Sequence, residues 1–243
     1  MSASKLRALF VLTSHSKLGN TGRSTGWYLP EFAHPYNEVS KVADITIASP
    51  AGGEAPVDHG SVASWTAKDE VCEAFWNNNF ALWTNTQKLS SFVGQSKNFA
   101  ALFYVGGHGP MWDLAVDESS LALIREFYEN GKIVSAICHG SAALVNAKLS
   151  DGSYLVADTP VTGFSDAEED AMELSEYMPF MLETELQKAS NGKFEKADKL
   201  WGEKVVVSKG GRLITGQNPF SAKKLASELA RAIQTRGSEK DEL

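Results

Sequence analysis

The chain has 243 residues, long enough to bury a large core, and its even spread of apolar segments gives no break that argues for a second domain. Its 23 Lys and Arg against 30 Asp and Glu leave a formal charge of −7, so a phosphate backbone meets net repulsion and nucleic acid is disfavoured as a partner. No run nears the roughly 18 apolar residues of a membrane span, and two cysteines, Cys72 and Cys138, are no disulfide framework, which points to a reducing compartment.

Leu6 to Thr13 reads as a first strand rather than a signal peptide, because its apolar run is short and no small-residue cleavage site follows. It ends at Ser14-His15 and opens a glycine-rich loop, Gly19 to Gly26. Pro30 and Glu31 then sit where the first turn of a helix is expected, which puts Glu31 just past the carboxyl end of strand one. Ala43 to Ala48 is a second strand, closed by the turn residues Ser49 to Gly53. Residues 54–98 are polar and irregular and are expected to form one or two helices plus a loop, with Cys72 structural. Phe99 to Val105 has the pattern of a buried strand, and the glycines of Gly106 to Pro110 would let backbone N–H groups approach a ligand. Ser119 to Glu129 gives an amphipathic helix that Gly131 stops.

Lys132 to Leu144, KIVSAICHGSAAL, is the stretch that carries chemistry. A β-rich run enters Cys138-His139, and Gly140 onward restarts with helix formers, so the thiol stands at a strand-to-helix elbow where backbone N–H groups favour the thiolate. Val156 to Phe164 is irregular and β-rich, and Ser165 to Leu186 holds a dense run of acids that should mostly form a solvated helix face. Lys204 to Ser208 and Arg212 to Thr215 form a hairpin, and Ala222 to Ile233 a last helix. A single domain over 1–236 and a flexible tail over 237–243 are expected, the tail ending in Lys-Asp-Glu-Leu, the spelling of a retrieval signal. With no entry signal beside it, the expected location is the cytoplasm, with the nucleus a second compartment and the endoplasmic reticulum a minority alternative.

Alternating strands and helices predict an α/β fold, a mostly parallel sheet with helices on both faces, and a ligand site beyond the strands' carboxyl ends. Glu31, Gly107-His108 and Cys138-His139 then converge: an acid, amide donors and a thiol, the parts needed to attack a carbonyl. His15, His34 and His59 show no ligand spacing, so no catalytic metal is expected.

At ASPAGGEAPVD (48–58), YVGGHG (104–109), AICHGSAAL (136–144), TGFSDAEED (162–170), MPFMLETEL (178–186) and LITGQNPFSA (213–222) the chain resembles the ThiJ/PfpI superfamily, which belongs to the glutamine-amidotransferase-like, flavodoxin-type three-layer folds. With the loop GRSTGWYLPEFAHPY (22–36) it is most similar to the fungal heat-shock-type branch, the glutathione-independent glyoxalases III, or D-lactate dehydratases. The resemblance implies that Cys138 is the nucleophile, His139 its neighbouring acid/base and Glu31 a partner of the thiol. A third acid would be Glu168 or Glu169, of which Glu169 is favoured. His108 is expected to shape an oxyanion pocket with Gly107 through its backbone, and Trp27, Met178 and Phe180 to wall a small cleft. The implied substrate is a small dicarbonyl, methylglyoxal, taken to D-lactate with no cofactor, neither glutathione nor nicotinamide; the alternatives are a redox-sensing holdase and a cysteine peptidase, and monomer or homodimer is left open.

Overall fold

Apolar runs that alternate with amphipathic stretches must cover both faces of a sheet, and the chain does this by winding in both directions from its first strand. The computed structural model describes residues 6–241, with side chains through Arg236. In chain order the elements are β1 (Leu6–Val11), α1 (Leu29–Val39), β2 (Ala43–Ser49), α2 (His59–Thr66), α3 (Glu70–Asn78), α4 (Ala81–Thr84), β3 (Gln87–Lys88), β4 (Ala101–Tyr104), α5 (Glu118–Glu129), β5 (Ile133–Ile137), α6 (Ala142–Val145), α7 (Asp166–Ala171), α8 (Leu182–Ala189), β6 (Val205–Ser208), β7 (Leu213–Gly216) and α9 (Ala222–Asp241). Among the described residues they form one seven-stranded sheet in the order β3-β2-β1-β4-β5-β7-β6. Every pairing is parallel except the β6–β7 hairpin.

From β1 the order steps one way to β2 and the other way to β4 and β5. Right-handed crossovers therefore place α1 and α5 on opposite faces, and leave a crevice between β1 and β4 at their carboxyl ends. Phe10 lies in register with Ile47 on β2 and Phe103 on β4, and its ring meets Phe103 edge-on and Phe32 of α1. Each such ring contributes about 1.5–3 kcal/mol by burial, which fixes α1 against the sheet. Helix α9 packs on α1 and against β5 and β7.

The central strands are buried along nearly their whole length, which is why they read as unbroken apolar runs. Three helices, two of them capped by Asp58 and Asp69, occupy the stretch expected to hold one or two, and β3 adds a two-residue edge to β2. Residues 156–164 form no strand; Val161 makes an isolated bridge to Phe194. The helix expected after Cys138 is only one 3₁₀ turn, Cys138–Ser141, and the four-residue α6. Helix α9 runs to Asp241, through most of the stretch assigned from sequence to a flexible tail; Glu242 and Leu243 of the terminal tetrapeptide lie outside the described residues. No helix among the described residues is long and apolar enough to cross a membrane.

Candidate active site

Cys138 has φ +56, a left-handed backbone that a side chain adopts only under strain. The strain turns the sulfur out of β5 into the crevice, the geometry of a nucleophile elbow. Beside it, Gly106 is required by space: a Cβ there would meet Glu31 Oε2 at 2.3 Å, the Ile137 carbonyl oxygen at 2.5 Å and Cys138 Cβ at 2.8 Å. The missing side chain is thus what lets the end of β4 lie between Glu31 and the thiol. Gly107, at φ +93, takes the chain away again under the backbone of 26–28, and the Tyr28 N–H donates to the Gly106 carbonyl at 3.1 Å. With the Leu29 N–H bound to Ser61 Oγ at 3.0 Å, the first turn of α1 is held in place, and Glu31 with it.

Glu31 is fully buried, and neither carboxyl oxygen has a partner at full hydrogen-bond geometry. Its close neighbours are the Cys138 thiol and the Gly107 N–H, whose attraction is weaker than the cost of burying a carboxylate. Burial pushes its pKa well above the ordinary value. Cys138 is pushed up as well, by burial first and then by Glu31, against the backbone N–H groups of His139 and Gly107, which favour the thiolate. At this elbow the pull of the backbone N–H groups toward the thiolate is outweighed by burial and by Glu31. Thiolate and carboxylate cannot both stand in this buried space, so the pair carries at most one negative charge and titrates as a unit.

On the other side of the sulfur lies His139, whose Nδ1 is 3.4 Å from Cys138 Sγ. Its Nε2–H donates to Glu169 Oε2 at 2.6 Å, and the second oxygen, Oε1, accepts from His108 Nε2 at 2.9 Å. An ionised carboxylate can only accept, which assigns the protons to both Nε2 atoms and leaves His139 Nδ1 with a lone pair toward the thiol. Burial, and next the neighbouring His108, lower the His139 pKa despite the attraction of Glu169, so the ring is a neutral base. For Glu169 burial acts upward, but the adjacent His139 and the hydrogen bonds from His108 and His139 outweigh it and hold the carboxyl well below its usual range. The His108 and His139 rings are 4.1 Å apart between centroids, and Phe164 lies 4.3 Å beyond His139.

Glu168 is buried too, with a different task. Ser165 caps α7 by accepting the Glu168 N–H, and Glu168 returns the bond to the Ser165 N–H at 3.0 Å, a reciprocal capping box. Its two oxygens also accept from Gln217 Nε2 (3.0 Å) and Asn218 Nδ2 (2.7 Å), just after β7. Glu168 hangs α7 on the end of β7, and its neighbour Glu169 is thereby aimed at the two imidazoles.

Of the residues singled out from sequence, the fold brings Glu31, Gly107, His108, Cys138, His139 and Glu169 to one place, with Glu168 directly behind. The His108 side chain, expected to contribute only through its backbone, is instead the second donor to Glu169. Trp27 is no cleft wall: its indole is buried among Phe32, Trp76 and Trp83 and donates to the Ala55 carbonyl. Met178 and Phe180 are half-buried against the core. One ligand atom each from His108, His139 and Glu169 lies within 4.8 Å of the others, the spacing of a metal site, though in this arrangement all three are spent on one another.

The chain is similar to known proteins along most of its length. The DJ-1/PfpI family signature matches residues 90–232. Glutathione-independent glyoxalase hsp3102 of Schizosaccharomyces pombe is 30% identical over 87% of this chain and 90% of its own length. The crystal structure of glyoxalase III from Candida albicans superposes with a TM-score of 0.79 at 26% identity, covering 94% of this chain and 97% of that one. The Rapid Encystment Protein 24 KDa of Francisella tularensis superposes at 0.86 with 34% identity, over 94% and 99%.

Proposed function

The chain belongs to the DJ-1/PfpI family, and on that premise we propose that it is a glutathione-independent glyoxalase, which converts methylglyoxal to D-lactate through a hemithioacetal on Cys138. The observation that carries the proposal is the line from sulfur to imidazole to carboxylate, Cys138 to His139 at 3.4 Å and His139 to Glu169 at 2.6 Å, with Glu31 on the opposite side of the thiol.

The thiol proton moves to His139 Nδ1 as the sulfur bonds to the aldehyde carbon, and the carbonyl oxygen takes the charge near the Gly107 and His139 N–H groups. His139 then passes that proton to the oxygen, which gives the neutral hemithioacetal and restores His139 as a base. The same base removes the hydrogen from the former aldehyde carbon while Glu31, the buried acid, protonates the ketone oxygen to form an enediol; His139 returns its proton to the adjacent carbon and the other hydroxyl gives one back to Glu31, which leaves a lactoyl thioester. Water then breaks the carbon–sulfur bond, releasing lactate and the thiol. Cys138 is only 3% exposed, which suits a three-carbon aldehyde and disfavours a peptide substrate.

Purified protein incubated with methylglyoxal and no glutathione should form D-lactate, and Cys138→Ala should form none. Equal product from the variant, or none from the wild type, overturns the proposal.

A further inference from the structure

Cys72, which the sequence suggests is merely structural, has company. It lies on the first turn of α3, fully buried, and His34 of α1 and Asp69, the cap of α3, stand beside it. One ligand atom each from His34, Asp69 and Cys72 falls within 4.8 Å of the other two, although sequence spacing gave His34 no partner. His34 Nε2 is 3.0 Å from Asp69 Oδ2, while Asp69 Oδ1 is occupied by the Cys72 N–H at 3.0 Å. An imidazole, a carboxylate oxygen and a thiol, carried on two packed helices, are three of the four ligands of a tetrahedral ion of borderline softness. Ligands about 2.0–2.3 Å from zinc stand closer together than 4.8 Å, so binding needs the three to close by a fraction of that distance.

We propose that His34, Asp69 and Cys72 form a zinc(II) site separate from the active site. Binding replaces the His34–Asp69 hydrogen bond by two bonds to the ion, and the Cys72 thiol releases its proton to solvent as the sulfur–zinc bond forms. Asp69 Oδ1 stays in the helix cap. Because His34 follows Glu31 by three residues on α1, the ion ties the helix that carries Glu31 to α3.

The test uses full-length protein, stripped with chelator and titrated with cobalt(II), whose ligation by a thiolate gives an intense near-ultraviolet charge-transfer band, then with zinc(II) in competition. The expected result is a band that saturates at a single equivalent in Cys138→Ala, is abolished by zinc, and is absent from the Cys72→Ser, Cys138→Ala double variant. His34→Ala in the same background should weaken cobalt binding by about tenfold or more. No band in Cys138→Ala, or a band that appears in the wild type and vanishes with Cys138, overturns the proposal, the second outcome assigning the ion to the active site. Should the Cys72 variant fail to fold, unchanged affinity in His34→Ala overturns it equally.

Discussion

The protein holds two buried cysteines, each beside a histidine and an acid, and the order of the three groups separates them. At Cys138 the imidazole stands between sulfur and carboxylate: thiol to His139 Nδ1, His139 Nε2 to Glu169. At Cys72 the carboxylate stands in the middle: Asp69 takes the backbone N–H of Cys72 on one oxygen and His34 on the other. The first order gives the thiol a base to receive its proton. The second sets the thiol against a negative charge, and Cys72 is pushed well above its ordinary pKa by burial first and by Asp69 next. Backbone differs as well, since Cys138 sits on a strained elbow and Cys72 in regular helix. Composition is nearly the same at both places; connectivity decides which thiol has a base beside it.

The largest expected effect breaks that contrast directly. Cys138→Ala should reduce glyoxalase turnover to background and Cys72→Ala should leave it near wild type; loss in both would mean that the second cluster supports the first. Next comes the acid behind the imidazole. Glu169→Gln keeps a hydrogen-bond acceptor and removes the charge that stabilises an imidazolium, so kcat/KM should fall by about 10²–10⁴ with little change in fold. In the wild type, burial and the nearby His108 disfavour the protonated ring, so His139 stays a base as pH falls past the ordinary histidine value of 6.5. The acid limb of kcat/KM should therefore lie below 6.5, and a limb at or above it would show that His139 is not the titrating base. Glu168→Ala should act through structure, losing the cap of α7 and leaving Gln217 and Asn218 without their buried acceptor. About 2 kcal/mol or more of stability should go, read by denaturant midpoint. An unchanged midpoint together with abolished turnover would move the catalytic role from Glu169 to Glu168.

Much of this site is legible in the sequence. The unbroken apolar runs of β1, β4 and β5 announced buried parallel strands, and the residues that follow them, Glu31 by way of α1, Gly107 and Cys138, had to meet at one edge of the sheet. The choice between Glu168 and Glu169 was open because adjacent acids on one helix carry the same composition signal. The spacing Ser165-x-x-Glu168 was nevertheless a capping box, which would have assigned Glu168 to the helix end. Asp58 and Asp69 were likewise unread caps that would have divided residues 54–98 into helices. No such signal existed for the His108 ring, whose contact with Glu169 spans 61 positions and follows only from how α7 is hung on β7. Trp27 was misplaced for a related reason: its partners Trp76 and Trp83 are distant in sequence, and an aromatic residue beside a site looks the same whether it faces substrate or core.

The smallest effect tests the Cys72 half of the comparison, in metal-free protein. Asp69→Asn keeps an oxygen to cap α3, since Asn and Asp are about equal at that position, and removes the charge that faces both His34 and Cys72. Burial acts to raise the Asp69 pKa, but the Cys72 N–H and His34 together leave it below the ordinary 3.8. A depressed carboxyl contributes stability that is fully present above the unfolded value and is lost as pH falls through the folded one. The variant should thus be less stable than wild type by under about 1 kcal/mol at neutral pH, with the gap closing in acid, as denaturant midpoints across pH would record. The same substitution removes one of the two influences that keep the Cys72 thiol protonated, so its alkylation by iodoacetamide should speed up while that of Cys138 stays fixed. If Cys72 reacts no faster, burial alone silences it, and the order of groups matters only where the backbone has already turned the sulfur toward a ligand.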